Sequence, residues 1–141
     1  MKKVRKILLL VLALTLMFTT TAFAEESYLG QPESFYKQQI PAILESTFYG
    51  TQSTEELEYK RDNTVGYMQE AYGAYLSIYE NLGDFVSSDD VTLDYHEDEE
   101  ELEIACEATF EKSKLVSTVV CKVYGEDLNI KSITFSQKDL E

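Results

Sequence analysis

The stretch Glu101-Leu102-Glu103-Ile104-Ala105-Cys106-Glu107-Ala108-Thr109-Phe110-Glu111 alternates two kinds of residue almost strictly. Leu102, Ile104, Cys106, Ala108 and Phe110 fall on one face of an extended chain. The intervening positions carry Glu101, Glu103 and Glu107, which are too acidic to be buried unpaired. A strand with one dry and one wet face belongs to an antiparallel sheet packed on one side only. Leu115 to Tyr124 is rich in β-branched residues and follows Lys112, Ser113 and Lys114, a polar triplet suited to a turn.

With Ser113 and Lys114 as loop residues, Phe110 pairs with Ser117, Ala108 with Val119, Cys106 with Cys121 and Ile104 with Val123. An even-numbered loop keeps both apolar sets on one face, whereas an odd one would turn Cys106 and Cys121 to opposite sides. On the preceding strand, Val91, Leu93 and Tyr95 alternate with Thr92, Asp94 and His96. A four-residue loop over Glu97–Glu100 places Tyr95 opposite Leu102, Leu93 opposite Ile104 and Val91 opposite Cys106. The last strand, Leu128 to Phe135, follows Gly125, Glu126 and Asp127. Its apolar positions change parity between Ile130 and Ile133, which predicts a bulge near Lys131 and Ser132.

Upstream, Ser34 to Phe48 has helical periodicity and Gly50 as a stop, with Pro41 either kinking the helix or opening a second one. Ser53 or Thr54 caps the next helical stretch, with Glu55 or Glu56 placed for a capping box. Apolar residues then recur at three- and four-residue spacing up to Gly83, in one long helix or in two broken near Asn63 to Gly66. Ser87 to Asp90 reads as loop. Helices over residues 34–83 packed on a four-stranded antiparallel meander over residues 91–136 make an α+β domain. The domain spans residues 34–141, after a flexible lead-in over residues 25–33.

Met1 to Ala24 has the layout of a secretory signal peptide. Lys2, Lys3, Arg5 and Lys6 precede an apolar run from Ile7 to Phe18, and Ala22-Phe23-Ala24 forms a cleavage site. The run is shorter than the ~20 residues that span a bilayer. The expected product is secreted, with no membrane attachment after cleavage behind Ala24. A chain beginning at Glu25 carries 8 basic and 26 acidic residues, a net charge of −18. Such a field disfavours nucleic acid and anionic lipid, and leaves basic partners, cations or plain solubility open.

An exported chain with Cys106 facing Cys121 predicts a disulfide between them, worth roughly 3 kcal/mol in the chain-entropy model. Two buried free thiols are the alternative. Tyr72 and Tyr75 on the helical half, with Tyr95 on the sheet, are the candidate pocket-lining residues, and core packing is the competing use of such rings. His96 is the single histidine and has no second histidine or cysteine at metal spacing. The acidic run through Glu101 lacks the ligand alternation and central glycine of a calcium loop. No nucleophile elbow, phosphate-cradling glycine loop or dinucleotide fingerprint occurs, so no catalytic residue, metal or cofactor is assigned.

Leu82-Gly83-Asp84-Phe85, Ala108-Thr109-Phe110-Glu111 followed by a short turn and Leu115, and Leu128-Asn129-Ile130-Lys131-Ser132-Ile133-Thr134-Phe135 together resemble the uncharacterised DUF3887 domains. The resemblance runs from about Phe35 to Gln137. It implies a small exported bacterial domain with the NTF2-like (cystatin-like) cone fold and no catalytic residues. The cysteine pair, Pro41 and Gly50 depart from its usual pattern.

The expected function is a non-catalytic binding or interaction domain for an extracytoplasmic protein or small ligand. Two other classes stay open. One is a small cone-fold enzyme pairing Tyr72, Tyr75 or Tyr95 with an inward carboxylate, although the alternation sends Asp94, Glu103 and Glu107 outward. The other is a homodimerising module that uses the sheet face bearing Val116, Thr118, Val120 and Tyr124.

Overall fold

The computed structural model describes residues 25–51 and 53–140, and the leader expected over Met1–Ala24 lies outside them. The architecture is α+β, with helices followed by a four-stranded antiparallel meander. A short hairpin, β1 (Ser27–Tyr28) and β2 (Gln31–Pro32), leads into α1 (Glu33–Leu44), a π-helical turn over Glu45–Tyr49, α2 (Thr54–Asp62) and α3 (Tyr67–Leu82). The sheet is β3 (Phe85–His96), β4 (Glu101–Phe110), β5 (Lys114–Tyr124) and β6 (Asp127–Lys138), in the order β3-β4-β5-β6. None of the described helices is long and apolar enough to cross a membrane.

Residues 25–33 are not a free lead-in. Leu29 and Gly30 both adopt positive φ, the conformation a two-residue hairpin turn requires, and Ser27 pairs with Pro32. Tyr36 donates its hydroxyl to the Tyr28 carbonyl at 2.7 Å, and the Tyr28 ring packs on Tyr95 with centroids 5.7 Å apart. Both contacts dock the hairpin onto the domain.

Pro41 does not divide α1. The helix runs through it to Leu44, and the backbone then widens into the π turn, whose consecutive residues Phe48 and Tyr49 are both buried. Ser53 caps α2 by accepting from the Glu56 N–H at 3.1 Å. The helical stretch does break between Asp62 and Tyr67, with Gly66 at φ 69°.

Inward side chains of the sheet form rows that cross all four strands. They are Val91–Cys106–Ser117–Phe135, Leu93–Ile104–Val119–Ile133 and Tyr95–Leu102–Cys121–Ile130. Lys131 is the extra residue of a β6 bulge, which lets Ile130 and Ile133 share one face despite their opposite parity. Two further irregularities, at Val86 and Asp89, carry β3 back to Phe85, so Ser87–Asp90 is bulged strand, not loop. The first hairpin has the expected pairing of Tyr95 with Leu102, Leu93 with Ile104 and Val91 with Cys106.

The second hairpin is displaced from the expected register by four residues. Its turn is Glu111–Lys112, closed by the Phe110 N–H donating to the Ser113 carbonyl at 2.9 Å. Cys106 therefore faces Ser117, and Cys121 faces Leu102. An even shift leaves every side chain on its intended face, so both cysteines remain inward and buried. They stand roughly 14 Å apart along the strands at ~3.4 Å per residue, beyond the ~7 Å Cα limit of a disulfide. The expected crosslink is absent, and both thiols are free.

The cause of the displacement is tertiary. The Lys112 N–H donates to the Leu82 carbonyl and the Glu111 N–H to the Asp84 carbonyl, both at 2.9 Å, while the Asp84 N–H donates to the Glu111 carboxylate at 2.7 Å. The turn is thus fastened to the end of α3. Ser113, expected at the tip, is buried and donates its hydroxyl to the Lys138 carbonyl on β6.

Candidate functional site on the open sheet face

The space between helices and sheet is filled by aromatic packing. Phe48 lies 5.1 Å from Tyr72 and from Phe135 and 5.5 Å from Tyr75, and Tyr75 is only 1% exposed. Tyr49 stacks on Phe85 at 5.2 Å, and its hydroxyl lies 2.8 Å from the buried Ser117 hydroxyl. Burial pushes the phenols of Tyr49 and Tyr75 well above their ordinary range. The three expected pocket residues do not meet. Tyr72 and Tyr75 join this cluster at the β6 edge, whereas Tyr95 packs on Tyr28 at the β3 edge, four residues along the ladder from the row that carries Phe135.

The wet face of the sheet is the exposed surface that rigid elements organise. Its rows are Asp90–Glu107–Val116–Ser136, Thr92–Ala105–Thr118–Thr134, Asp94–Glu103–Val120–Ser132 and His96–Glu101–Lys122–Asn129. A groove of about 150 Å³ runs over Asp90, Thr92, Ala105, Glu107, Val116 and Lys138. That is less than the ~300–1,000 Å³ of small-molecule pockets, so the groove suits a contact laid along a surface. A broader depression of about 430 Å³ adjoins it over Glu107, Lys114, Gln137, Lys138 and Asp139.

Charge is zoned across this face. Asp90, Asp94, Glu103 and Glu107 stand on β3 and β4, and Lys114, Lys122 and Lys138 on β5 and β6. Lys114 reaches Glu107 at 3.3 Å, while Lys131 and Lys122 converge on Glu101 and hold its carboxyl below the usual carboxylate range. Val116, Thr118 and Val120 are half-buried in the middle, and Tyr124 is exposed at the end of β5.

At one end of the face, Asp94 and Glu103 sit directly across the β3–β4 ladder, where like charges repel. His96, two residues beyond Asp94, answers them. Its Nε2 lies 3.0 Å from Glu103 Oε2 and 3.5 Å from Asp94 Oδ2. The hydrogen bond to Glu103, reinforced by the charges of Asp94, Glu103 and Glu99, raises the imidazole above its ordinary pKa. Taken singly along the chain these residues look like a solvated strand face, although the β3–β4 pairing already sets Asp94 against Glu103.

Comparison with protein-family models, with curated proteins and with solved structures found no match.

Proposed function

We propose that this chain is an extracytoplasmic, non-catalytic interaction domain that presents the β3–β4 half of its open sheet face to a positively charged partner segment. The observation that carries it is the groove over Thr92, Ala105 and Val116, bordered by Asp90 and Glu107 with Lys138 at its β6 side, and continued by Asp94 and Glu103 on paired strands. Backbone pairing fixes the Cα positions from which these carboxylates project, so the spacing of charge on the face is set before a partner arrives. The strong net negative charge steers cationic partners toward it and repels nucleic acid. The secretory layout of the leader supports the setting.

Calorimetric titration of the mature chain with hexalysine tests the reading through two variants. Neutralising the face (Asp90→Asn, Asp94→Asn, Glu103→Gln) is expected to weaken binding at least tenfold. Neutralising the hairpin tip (Glu97→Gln, Asp98→Asn, Glu99→Gln) is expected to change it less than threefold. The reverse ranking, or no saturable binding by the wild type, would overturn it.

A further inference from the structure

We propose that Asp94, His96 and Glu103 form a binding site for a divalent transition-metal cation of the zinc type. The three donor atoms lie within 4.8 Å of one another. A tetrahedral zinc with bonds of ~2.0–2.1 Å holds adjacent donors roughly 3.3 Å apart. The His96 Nε2 separations of 3.0 and 3.5 Å already bracket that edge. One imidazole with two carboxylates is a mixed nitrogen and oxygen set that suits zinc, copper or nickel better than magnesium or calcium.

The backbone prepares the arrangement. Asp94 and His96 project from alternate positions of β3, and Glu103 comes from the residue paired with Asp94. Three protein donors leave coordination positions open to water or to a partner's side chain. The side chains are 41–74% exposed, so an ion enters without a conformational change.

No lysine answers Asp94 or Glu103 among the described ion pairs. The nearby Lys122 and Lys131 converge on Glu101, which stands opposite His96 in the ladder. A divalent ion at this position meets two carboxylates on paired strands, and the tip residues Glu97, Asp98 and Glu99 add to the attraction. Neutral imidazole is the form that ligates a metal, so affinity is expected to fall at acid pH. The proposal stands independently of whether the face also binds a cationic partner.

The test is an NMR titration of untagged protein with zinc chloride, following the Hε1 resonance of His96, the single histidine of the chain. The expected result is a saturable change complete at one equivalent at pH 7.5 and at least tenfold weaker binding at pH 5.5. Magnesium chloride is expected to leave the resonance in place. Asp94→Asn and Glu103→Gln are each expected to weaken zinc binding at least tenfold, and His96→Gln to abolish the one-equivalent heat in calorimetry. An unmoved Hε1 resonance in the wild type would overturn the proposal, whatever the variants do. So would a one-equivalent heat that survives His96→Gln, which would assign zinc to the hairpin tip.

Discussion

Tyr49 and Ser117, 68 residues apart in sequence, join their hydroxyls at 2.8 Å inside the core and tie the π turn after α1 to the centre of β5. Ser117 is 0% exposed and Tyr49 6%, so neither hydroxyl has water to fall back on. Tyr49→Phe strands the serine oxygen and Ser117→Ala strands the phenol, each at a cost of about 1–3 kcal/mol. Urea unfolding is expected to give a double variant that loses less than the sum of the two single ones.

Cys106 and Cys121 are buried, and desolvation pushes both thiols up to about 12. Thiolate is the reactive form, so the native protein is expected to resist Ellman's reagent at pH 8, whereas protein in 6 M guanidinium releases two equivalents. A mass two units below the fully reduced value would instead show the disulfide.

Gly83 ends α3 at φ 74° and ψ −159°, a region open to glycine and closed to other residues. A Cβ there would come within 2.9 Å of the Glu111 Cβ. Gly83→Ala is expected to destabilise by about 1–3 kcal/mol in urea and to loosen the β4–β5 turn, seen as faster exchange of the Glu111 and Lys112 amides.

The His96 titration has a definite sign. Its folded pKa is raised, so the stabilisation from protonated His96 is complete below the unfolded value of about 6.5 and is lost as pH rises through the folded value. In metal-free protein the Hε1 midpoint is expected above 6.5. In Glu103→Gln, which removes the largest contribution, the midpoint is expected to move back down.

Strand faces are legible in the sequence because alternation survives any even displacement of register. That is why Leu102, Ile104, Cys106, Leu115, Val119 and Cys121 are all buried although the β4–β5 register is displaced by four. Local turn chemistry favoured Ser113–Lys114, but Glu111–Lys112 prevails because its amides meet carbonyls at the end of α3, a contact that sequence periodicity does not encode. The β3 bulge at Asp89 likewise has a non-local partner, since Asp89 accepts from Thr109 on β4 as well as from neighbouring Ser87. The donor set was legible only in part. The first hairpin sets Asp94 against Glu103 by counting alone, but the rotamer that brings His96 to both is a property of the folded face. Tyr72, Tyr75 and Tyr95 share only a residue type in the sequence, and the fold assigns the first two and the third to opposite edges of the sheet.

The proposed working surface is the open face of the sheet, not the helix side. A ¹⁵N-resolved NMR map of the mature chain titrated with hexalysine measures this directly. The predicted perturbations concentrate on Asp90, Thr92, Asp94, Ala105, Glu107 and Val116. Perturbations confined to the amides of α2 and α3, with those six unmoved, would contradict it.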